Sequence, residues 1–186
     1  QCTPYLGSSG AGGHEDPPDQ RSDDATSACF DGAVLGEAFT ILGAPVVFLD
    51  VASDQENAFV CVRLNEVLPG GESLQISYGI LNLTHRNSHE FPELIEPDKR
   101  YTVRVQLNDI AHTFAPGSRI RIAISTAFWP IVWPSPQPVT LSLFSGESRL
   151  LLPAREPQSS DAEARTLAPP RHSRPHPTST LVDSEP

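Results

Sequence analysis

Alternating apolar and polar positions run through the middle of this chain. In residues 101–107 every second position is apolar, and in residues 119–125 three isoleucines share one face of the same pattern. Residues 74–78 alternate in the same way. A period of two is typical of strands with one buried and one solvated face, as found in antiparallel sheets. These segments therefore predict antiparallel β-structure.

Further strands and turns complete the predicted fold. No segment of ten or more residues combines helical spacing with caps. Turns are predicted at Pro69-Gly70-Gly71, Pro116-Gly117 and Gly146, because proline fixes φ and glycine adopts positive φ. About eight to ten short strands favour an all-β fold, an antiparallel β-sandwich and specifically a jelly roll. The additional predicted strands are residues 39–42, 46–53, 58–66, 139–144 and 149–152.

The two ends of the chain differ in composition from the middle. Residues 1–26 are rich in glycine and proline and then acidic, which predicts a flexible linker or a strap lying on a neighbouring surface. From about residue 155 the chain turns to proline, serine, arginine and histidine, which predicts a disordered tail. The predicted organisation is a strap at 1–26, a sandwich at 27–154 and a tail at 155–186.

Charge and cysteine content narrow the classes of partner and compartment. The net charge is −10, from 13 basic and 23 acidic residues, which disfavours nucleic acid as a partner. No apolar run approaches the roughly 20 residues of a membrane span. Cys2, Cys29 and Cys61 form no C-x-x-C pair, and Cys61 is interpreted as a small buried hydrophobe. A reduced bacterial cytoplasm fits best, with export left open. Because it lacks methionine, the chain is expected to be a piece of a longer protein or a mature form.

Several motifs occur in the order of a known family. Residues 41–47 (ILGAPVV), 78–86 (YGILNLTHR), 101–126 and 127–136 resemble the C-terminal domain of X-Pro dipeptidyl-peptidases and cocaine-esterase-like (CocE/NonD) hydrolases, and residues 19–24 resemble the strap that enters it. The resemblance covers about residues 15–155. One departure is Ser118, where the family's usual Pro-Gly-His-Arg turn has histidine.

The resemblance implies a galactose-binding-like jelly roll that follows an α/β-hydrolase domain. The catalytic serine, aspartate and histidine of that family belong to the preceding domain, so no catalytic residue and no cofactor is expected in this chain. The implied partner is the catalytic domain, with a homo-oligomer as a further expectation.

A search for chemistry-bearing residues agrees with this. The nucleophile elbow G-x-S-x-G is absent, and residues 7–10 (GSSG) are one residue too short and are interpreted as linker. His85 and His89 lie four apart beside Glu90, which is compatible with a metal site or with hydrogen bonding inside a loop. That spacing converges on one metal in a helix, so we predict loop hydrogen bonding and no metal. His112 flanks a turn and has no partner in sequence.

The aromatic stretch Phe128, Trp129 and Trp133 lies among dense prolines. One interpretation is a platform for a sugar or for the substrate of an adjacent catalytic domain. The other is a rigid crossover that packs on the sandwich or on that domain. We predict that all three rings belong to an exposed patch at a substrate cleft or domain interface.

Three functional hypotheses follow from these observations. The leading one is a non-catalytic accessory domain of a serine hydrolase acting on esters, amides or X-Pro peptides. The second is a free-standing carbohydrate-binding module. The third is a truncated product without activity.

Overall fold

The computed structural model describes residues 19–129 and 131–163. Of these, residues 19–129 and 131–156 belong to one unit and residues 157–163 to a second. Most of the predicted strap (1–18) and most of the predicted tail (164–186) lie outside the described residues, as does the GSSG segment at 7–10.

Nearly all regular structure is β-strand. The helical parts are the four-residue helix α1 (Arg21–Asp24) and short 3-10 turns at Leu83–His85 and Ser159–Glu163. The strands are β1 (Ala28–Val34), β2 (Phe39–Gly43), β3 (Val46–Ser53), β4 (Phe59–Val67), β5 (Ser73–Asn82), β6 (Tyr101–Gln106), β7 (Ile110–Phe114), β8 (Arg119–Ser125) and β9 (Leu141–Leu151).

The strands pair antiparallel into three sheets. Their orders are β1-β8-β4-β5, β6-β3-β9 and β2-β7. One hydrophobic core draws on all three sheets, with Val62 and Ile122 from the first, Val51 from the second, and Ile41 and Phe114 from the third. The predicted all-β sandwich is confirmed, and the arrangement is compatible with a jelly roll.

The central strand β4 is buried on both of its faces. Its even positions Val60, Val62 and Leu64 point into the sandwich core. Its odd positions Cys61, Arg63 and Asn65 lie on the outer face and are also nearly inaccessible. The outer face of this sheet must therefore be covered by other parts of the chain. Residues 19–27 cover Arg63 and Asn65, and the β8–β9 connection covers Cys61.

Strand β9 corrects one prediction. Residues 139–144 and 149–152 were expected as two strands with a turn at Gly146, but β9 is continuous. Its pairing with β3 steps from Asp50↔Phe144 to Phe48↔Arg149, so residues 145–148 lie opposite Leu49 alone. The glycine thus lies in an irregular stretch of a strand and not in a reversal. The other two predicted turns are confirmed by positive φ at Gly71 and Gly117.

Two strands were not predicted. All seven residues of β1 are exposed, so its sequence has no apolar period to detect. Strand β7 is short and holds Ala111, His112 and Thr113 at its centre. Each forms because a neighbouring strand offers a partner, β8 for β1 and β2 for β7.

Candidate functional site

Three connections between strands meet at one end of the sandwich. They join β3 to β4, β5 to β6, and β8 to β9, and together they line an open pocket of about 450 Å³ that includes Asp54, Leu94 and Pro136. These connections also hold five large apolar residues exposed to solvent. We call this set the aromatic end, and its members are Phe91, Leu94, Trp129, Ile131 and Trp133.

Trp129 and Trp133 form a pair at the aromatic end. Their ring centroids lie 5.4 Å apart with an interplanar angle of 69°. The exposed fractions are 37% for Trp129 and 77% for Trp133. The backbone N–H of Val132 donates to Phe128 O at 2.9 Å, which closes the turn that brings the two indoles together. The edge-to-face geometry is a favourable aromatic arrangement, and it leaves most of the Trp133 ring accessible.

Phe128 does not belong to this exposed surface. Its exposed fraction is 1%, so the prediction that it lies in an exposed patch is wrong. The ring packs against Tyr78, with centroids 4.9 Å apart, and against Cys61 in a second small core. Phe128 is buried because the outer face of β4 and β5 carries apolar side chains, and the Phe128 ring packs over them. Cys61 is buried, as the sequence predicts. For Trp129 and Trp133 a role at a cleft or interface stays a prediction.

His85 and His89 face each other on the β5–β6 connection. Their Nδ1 atoms lie 3.2 Å apart, and the ring centroids are 5.3 Å apart. The segment is a loop after the 3-10 turn Leu83–His85, as predicted, yet it brings both rings together without a helix. Within the described residues no group of three or more His, Cys, Asp or Glu side chains is arranged to hold a metal ion.

The loop between the two histidines is held by its own hydrogen bonds. The Arg86 guanidinium donates to Leu83 O at 3.2 Å and to Glu93 O at 2.7 Å. Ser88 Oγ accepts from the backbone N–H of Glu90 at 3.1 Å. The Arg86 side chain thus joins Leu83, at the start of the connection, to Glu93.

A buried polar network fastens residues 19–27 to the outer face of β4. Asp24 pairs with Arg63 at 2.9 Å and with Arg121 at 3.1 Å, and it accepts from Asn65 Nδ2 at 3.1 Å and from Ser73 Oγ at 2.6 Å. A carboxylate with this many donors is satisfied despite its burial. One feature of the sequence indicates this network: the polar residues Arg63 and Asn65 occupy alternate positions of an otherwise apolar strand.

A contact between a carboxylate and an imidazole joins two of the sheets. His112 Nε2 lies 2.8 Å from Glu66 Oε2, and Glu66 Oε1 accepts from the Ala115 N–H at 2.7 Å. Burial raises the pKa of Glu66, but hydrogen bonds from Ala115, Ser118 and His112 outweigh it and hold the pKa below its usual value. His112 therefore has a structural partner that sequence reasoning missed. Ser118, in the turn where the family has histidine, donates to Ala115 O at 2.7 Å.

None of the helices among the described residues has the length and apolar character needed to cross a membrane.

Known proteins with similar sequence are hydrolases of much greater length. Cocaine esterase of Rhodococcus sp. (strain MB1 Bresler) is 28% identical over 120 residues, which is 63% of this chain and 21% of the esterase. A putative serine esterase of Mycobacterium tuberculosis is 28% identical over 135 residues, or 22% of its length. The chain thus spans about a fifth of the curated relatives it matches.

Solved structures share the fold. An α-amino acid ester hydrolase superposes with a TM-score of 0.69 at 24% identity, covering 74% of this chain and 27% of that protein. A CocE/NonD family hydrolase from Staphylococcus aureus gives 0.59 at 14% identity, covering 70% of this chain and 30% of that protein.

The family model described as the X-Pro dipeptidyl-peptidase C-terminal non-catalytic domain matches residues 3–173, which is most of the chain. This match agrees with the resemblance that the sequence motifs indicate, and with the sandwich that the strands form. The chain belongs to the family of X-Pro dipeptidyl-peptidase C-terminal non-catalytic domains.

Proposed function

We propose that this domain docks on the catalytic domain of an α/β-hydrolase-type serine hydrolase and forms one wall of its active-site cleft. The parent enzyme would cleave ester, amide or X-Pro peptide bonds by acyl transfer from a serine. The observation that carries the proposal is the aromatic end, with its half-exposed Trp129 and strongly exposed Trp133.

The apolar character of the aromatic end fits a protein partner. Burying apolar surface is favourable by about 25 cal/mol per Å². Tryptophan is among the residue types enriched at the positions that dominate binding energy at protein interfaces. Trp133, Phe91 and Leu94 expose 77%, 68% and 64% of their surface, so a covering partner would remove much apolar area from water.

The pocket at the aromatic end has an acidic lining. The pocket of about 450 Å³ beside Leu94 is lined by Asp54 and Glu56 among its polar residues, and none of its lining residues is Lys, Arg or His. Complementary charge steers and orients association, so we expect a partner surface with basic side chains around an apolar centre.

The arrangement of the indoles supports docking over sugar binding. A row of coplanar aromatic faces would suit a chain of sugar rings, whereas the two indoles meet edge to face at 69°. The ester hydrolases among the relatives also favour an enzyme context, since this chain spans about a fifth of their length.

The setting of the proposed enzyme is the reduced bacterial cytoplasm. Cys29 is a free thiol, which is compatible with that setting. Partial desolvation raises the pKa of the Cys29 thiol, with a further contribution from the Asp24 charge, so this side chain is a poor nucleophile.

The test pairs the purified chain with the α/β-hydrolase domain encoded upstream of Gln1 in the same gene. Calorimetry should show a complex that Trp133→Ser weakens at least about tenfold, as for a central aromatic of an interface. Leu42→Ser is the matched control, because Leu42 is also exposed, at 53%, but lies on β2.

Two results would contradict the proposal. One is a gene without a hydrolase domain at that position. The other is turnover of p-nitrophenyl acetate by the isolated chain above a heat-treated control, because an accessory domain has no nucleophile of its own. Light scattering of the same samples tests the expected homo-oligomer.

A further inference from the structure

We propose that the outer face of the sheet β6-β3-β9 binds an acidic protein segment, one that carries Asp or Glu beside apolar side chains. The inference goes beyond docking at the aromatic end, because it concerns other residues and a partner of the opposite charge. We call this surface the arginine face, and its members are Phe48, Arg100, Arg104, Phe144, Arg149 and Leu151.

Strand pairing places two arginines on either side of one phenyl ring. The odd positions of β3 belong to the hydrophobic core, so Phe48 points to the outer face of the sheet. Arg104 of β6 and Arg149 of β9 both lie directly opposite Phe48, and residues in register share a face. Two strand spacings therefore separate the arginines, about 9.5 Å between their Cα atoms.

Two guanidinium groups of the arginine face stack on phenyl rings. Arg149 Cζ lies 4.2 Å from the centroid of the Phe48 ring, and Arg100 Cζ lies 4.6 Å from the centroid of the Phe144 ring. Stacking uses the flat side of a guanidinium and leaves the N–H donors at its edge accessible. Because the rings already restrict these side chains, less conformational entropy is lost when a partner binds.

The positive charge of the arginine face is only partly compensated. Arg100 donates from Nε to Asp50 Oδ2 at 3.1 Å, whereas Arg104 donates to the neutral Gln106 Oε1 at 2.9 Å. Among the described residues, no carboxylate lies at ion-pair distance from Arg104 or Arg149. The face is thus positive within a chain whose net charge is −10. The basic residues of the described chain that do have such a carboxylate are Arg21, Arg63, Arg86, Lys99, Arg100 and Arg121.

The chemistry of the arginine face fits a polypeptide with carboxylates. The planar fork of arginine matches the two oxygens of a carboxylate. Phe144 and Leu151 expose 38% and 51% of their surface on the same face, so the partner also needs apolar groups. Arginine and aromatic residues are enriched at protein interfaces. A nucleic acid is disfavoured, because the net charge of the chain repels a phosphate backbone.

The experiment measures binding of a fluorescent peptide of four Glu-Leu repeats to the full 186-residue chain, by anisotropy at neutral pH. We expect saturable binding that weakens as salt is added, because salt screens exposed charges. A peptide of four Gln-Leu repeats has the same apolar side chains without the charge. It should bind at least about tenfold more weakly, because hydrogen bonds to charged groups are the stronger ones.

Two substitutions locate the binding surface. Arg104→Gln and Arg149→Gln should each weaken binding of the Glu-Leu peptide at least about fivefold. The matched control is Arg119→Gln, which removes one positive charge from β8, in another sheet, and should leave the affinity unchanged. Circular dichroism checks that each variant is folded. Peptide-dependent shifts in ¹H–¹⁵N spectra of the unsubstituted chain should fall in β3, β6 and β9.

Four results would overturn the proposal: no binding of the Glu-Leu peptide, equal binding of the two peptides, equal weakening by Arg119→Gln, or shifts confined to the aromatic end. Self-association of the chain that Arg104→Gln and Arg149→Gln abolish would also overturn it, because the face would then bind a second copy. Failure of docking at the aromatic end would leave all of these measurements unaffected.

Discussion

The Arg63 guanidinium lies 2.9 Å from Asp24 Oδ1, and only 1% and 4% of the two side chains are exposed. Thirty-nine positions separate the two residues in sequence, so the contact ties the segment before β1 to the centre of the largest sheet. Either charge would be costly to bury without the other. The pair therefore disfavours folded arrangements in which the two residues lie apart.

Asp24→Ala should destabilise the domain by about 3–5 kcal/mol, the usual cost of removing one partner of a buried ion pair. Urea unfolding followed by tryptophan fluorescence measures the change. The control is Glu96→Ala, which removes a solvated partner of Lys99 and should leave the free energy of unfolding essentially unchanged. Equal effects of the two substitutions would contradict the importance of the buried network.

Gly79→Ala should disrupt the contact between β5 and the end of β6. A Cβ at this position would lie 2.3 Å from Gln106 O, a backbone atom that cannot swing aside. We expect a loss of about 1–3 kcal/mol, as for overpacking. Gly146→Ala is the matched control, because a Cβ there meets nothing within 4 Å. Thermal unfolding of both variants gives the comparison, and a neutral Gly79→Ala would refute the close approach.

Phe128→Ala and Trp133→Ala should separate stability from docking. Phe128 fills the small core beside Cys61, so its truncation should cost about 3–5 kcal/mol. Trp133 is 77% exposed, so its truncation should scarcely change the stability of the isolated chain. Denaturant unfolding of the two variants tests this assignment, and the reverse order of effects would contradict it.

Glu66 should contribute a pH-dependent part of the stability. Its pKa in the folded chain lies below its usual value despite burial, because Ala115, Ser118 and His112 stabilise the carboxylate. Such a group stabilises the fold above the unfolded pKa of about 4.3, and the contribution is lost as pH falls through the folded value.

The measurement is urea unfolding of wild type and Glu66→Gln between neutral and acidic pH. The difference in free energy of unfolding should be largest near neutral pH and shrink as the solution is acidified. The same series with Glu96→Gln supplies the baseline for a solvated carboxyl. A difference that stays constant with pH would show that the carboxylate charge of Glu66 is unimportant.

The sequence predicted two strands at their observed bounds. Strand β3 (Val46–Ser53) and strand β8 (Arg119–Ser125) begin and end at the predicted residues. Strand β1 escaped detection because all its residues are exposed, so its identity depends on pairing with β8 and not on its own pattern.

The contacts of the candidate sites were harder to predict than the strands. Glu66 and His112 lie on strands of different sheets, and only the packing of those sheets brings them to 2.8 Å. Whether Phe128 or Trp133 faces the sandwich depends on how the β8–β9 connection folds back. Both are large aromatic residues, so residue type alone predicts the same degree of burial for the two. The imidazoles of His85 and His89 meet on a loop in which the side chains of Arg86 and Ser88 form hydrogen bonds with the backbone. A pattern of residue types does not show such contacts.

The irregular pairing of β9 has a consequence for the behaviour of the protein at high concentration. Strand β9 is an edge of the sheet β6-β3-β9, and β1, an edge of the four-stranded sheet, also has a register shift between Asp31 and Val34. Regular edges offer a row of free N–H and C=O groups on which another chain can add a strand. The bulged edges of β1 and β9 interrupt that row, and so they oppose aggregation and domain swapping through these strands.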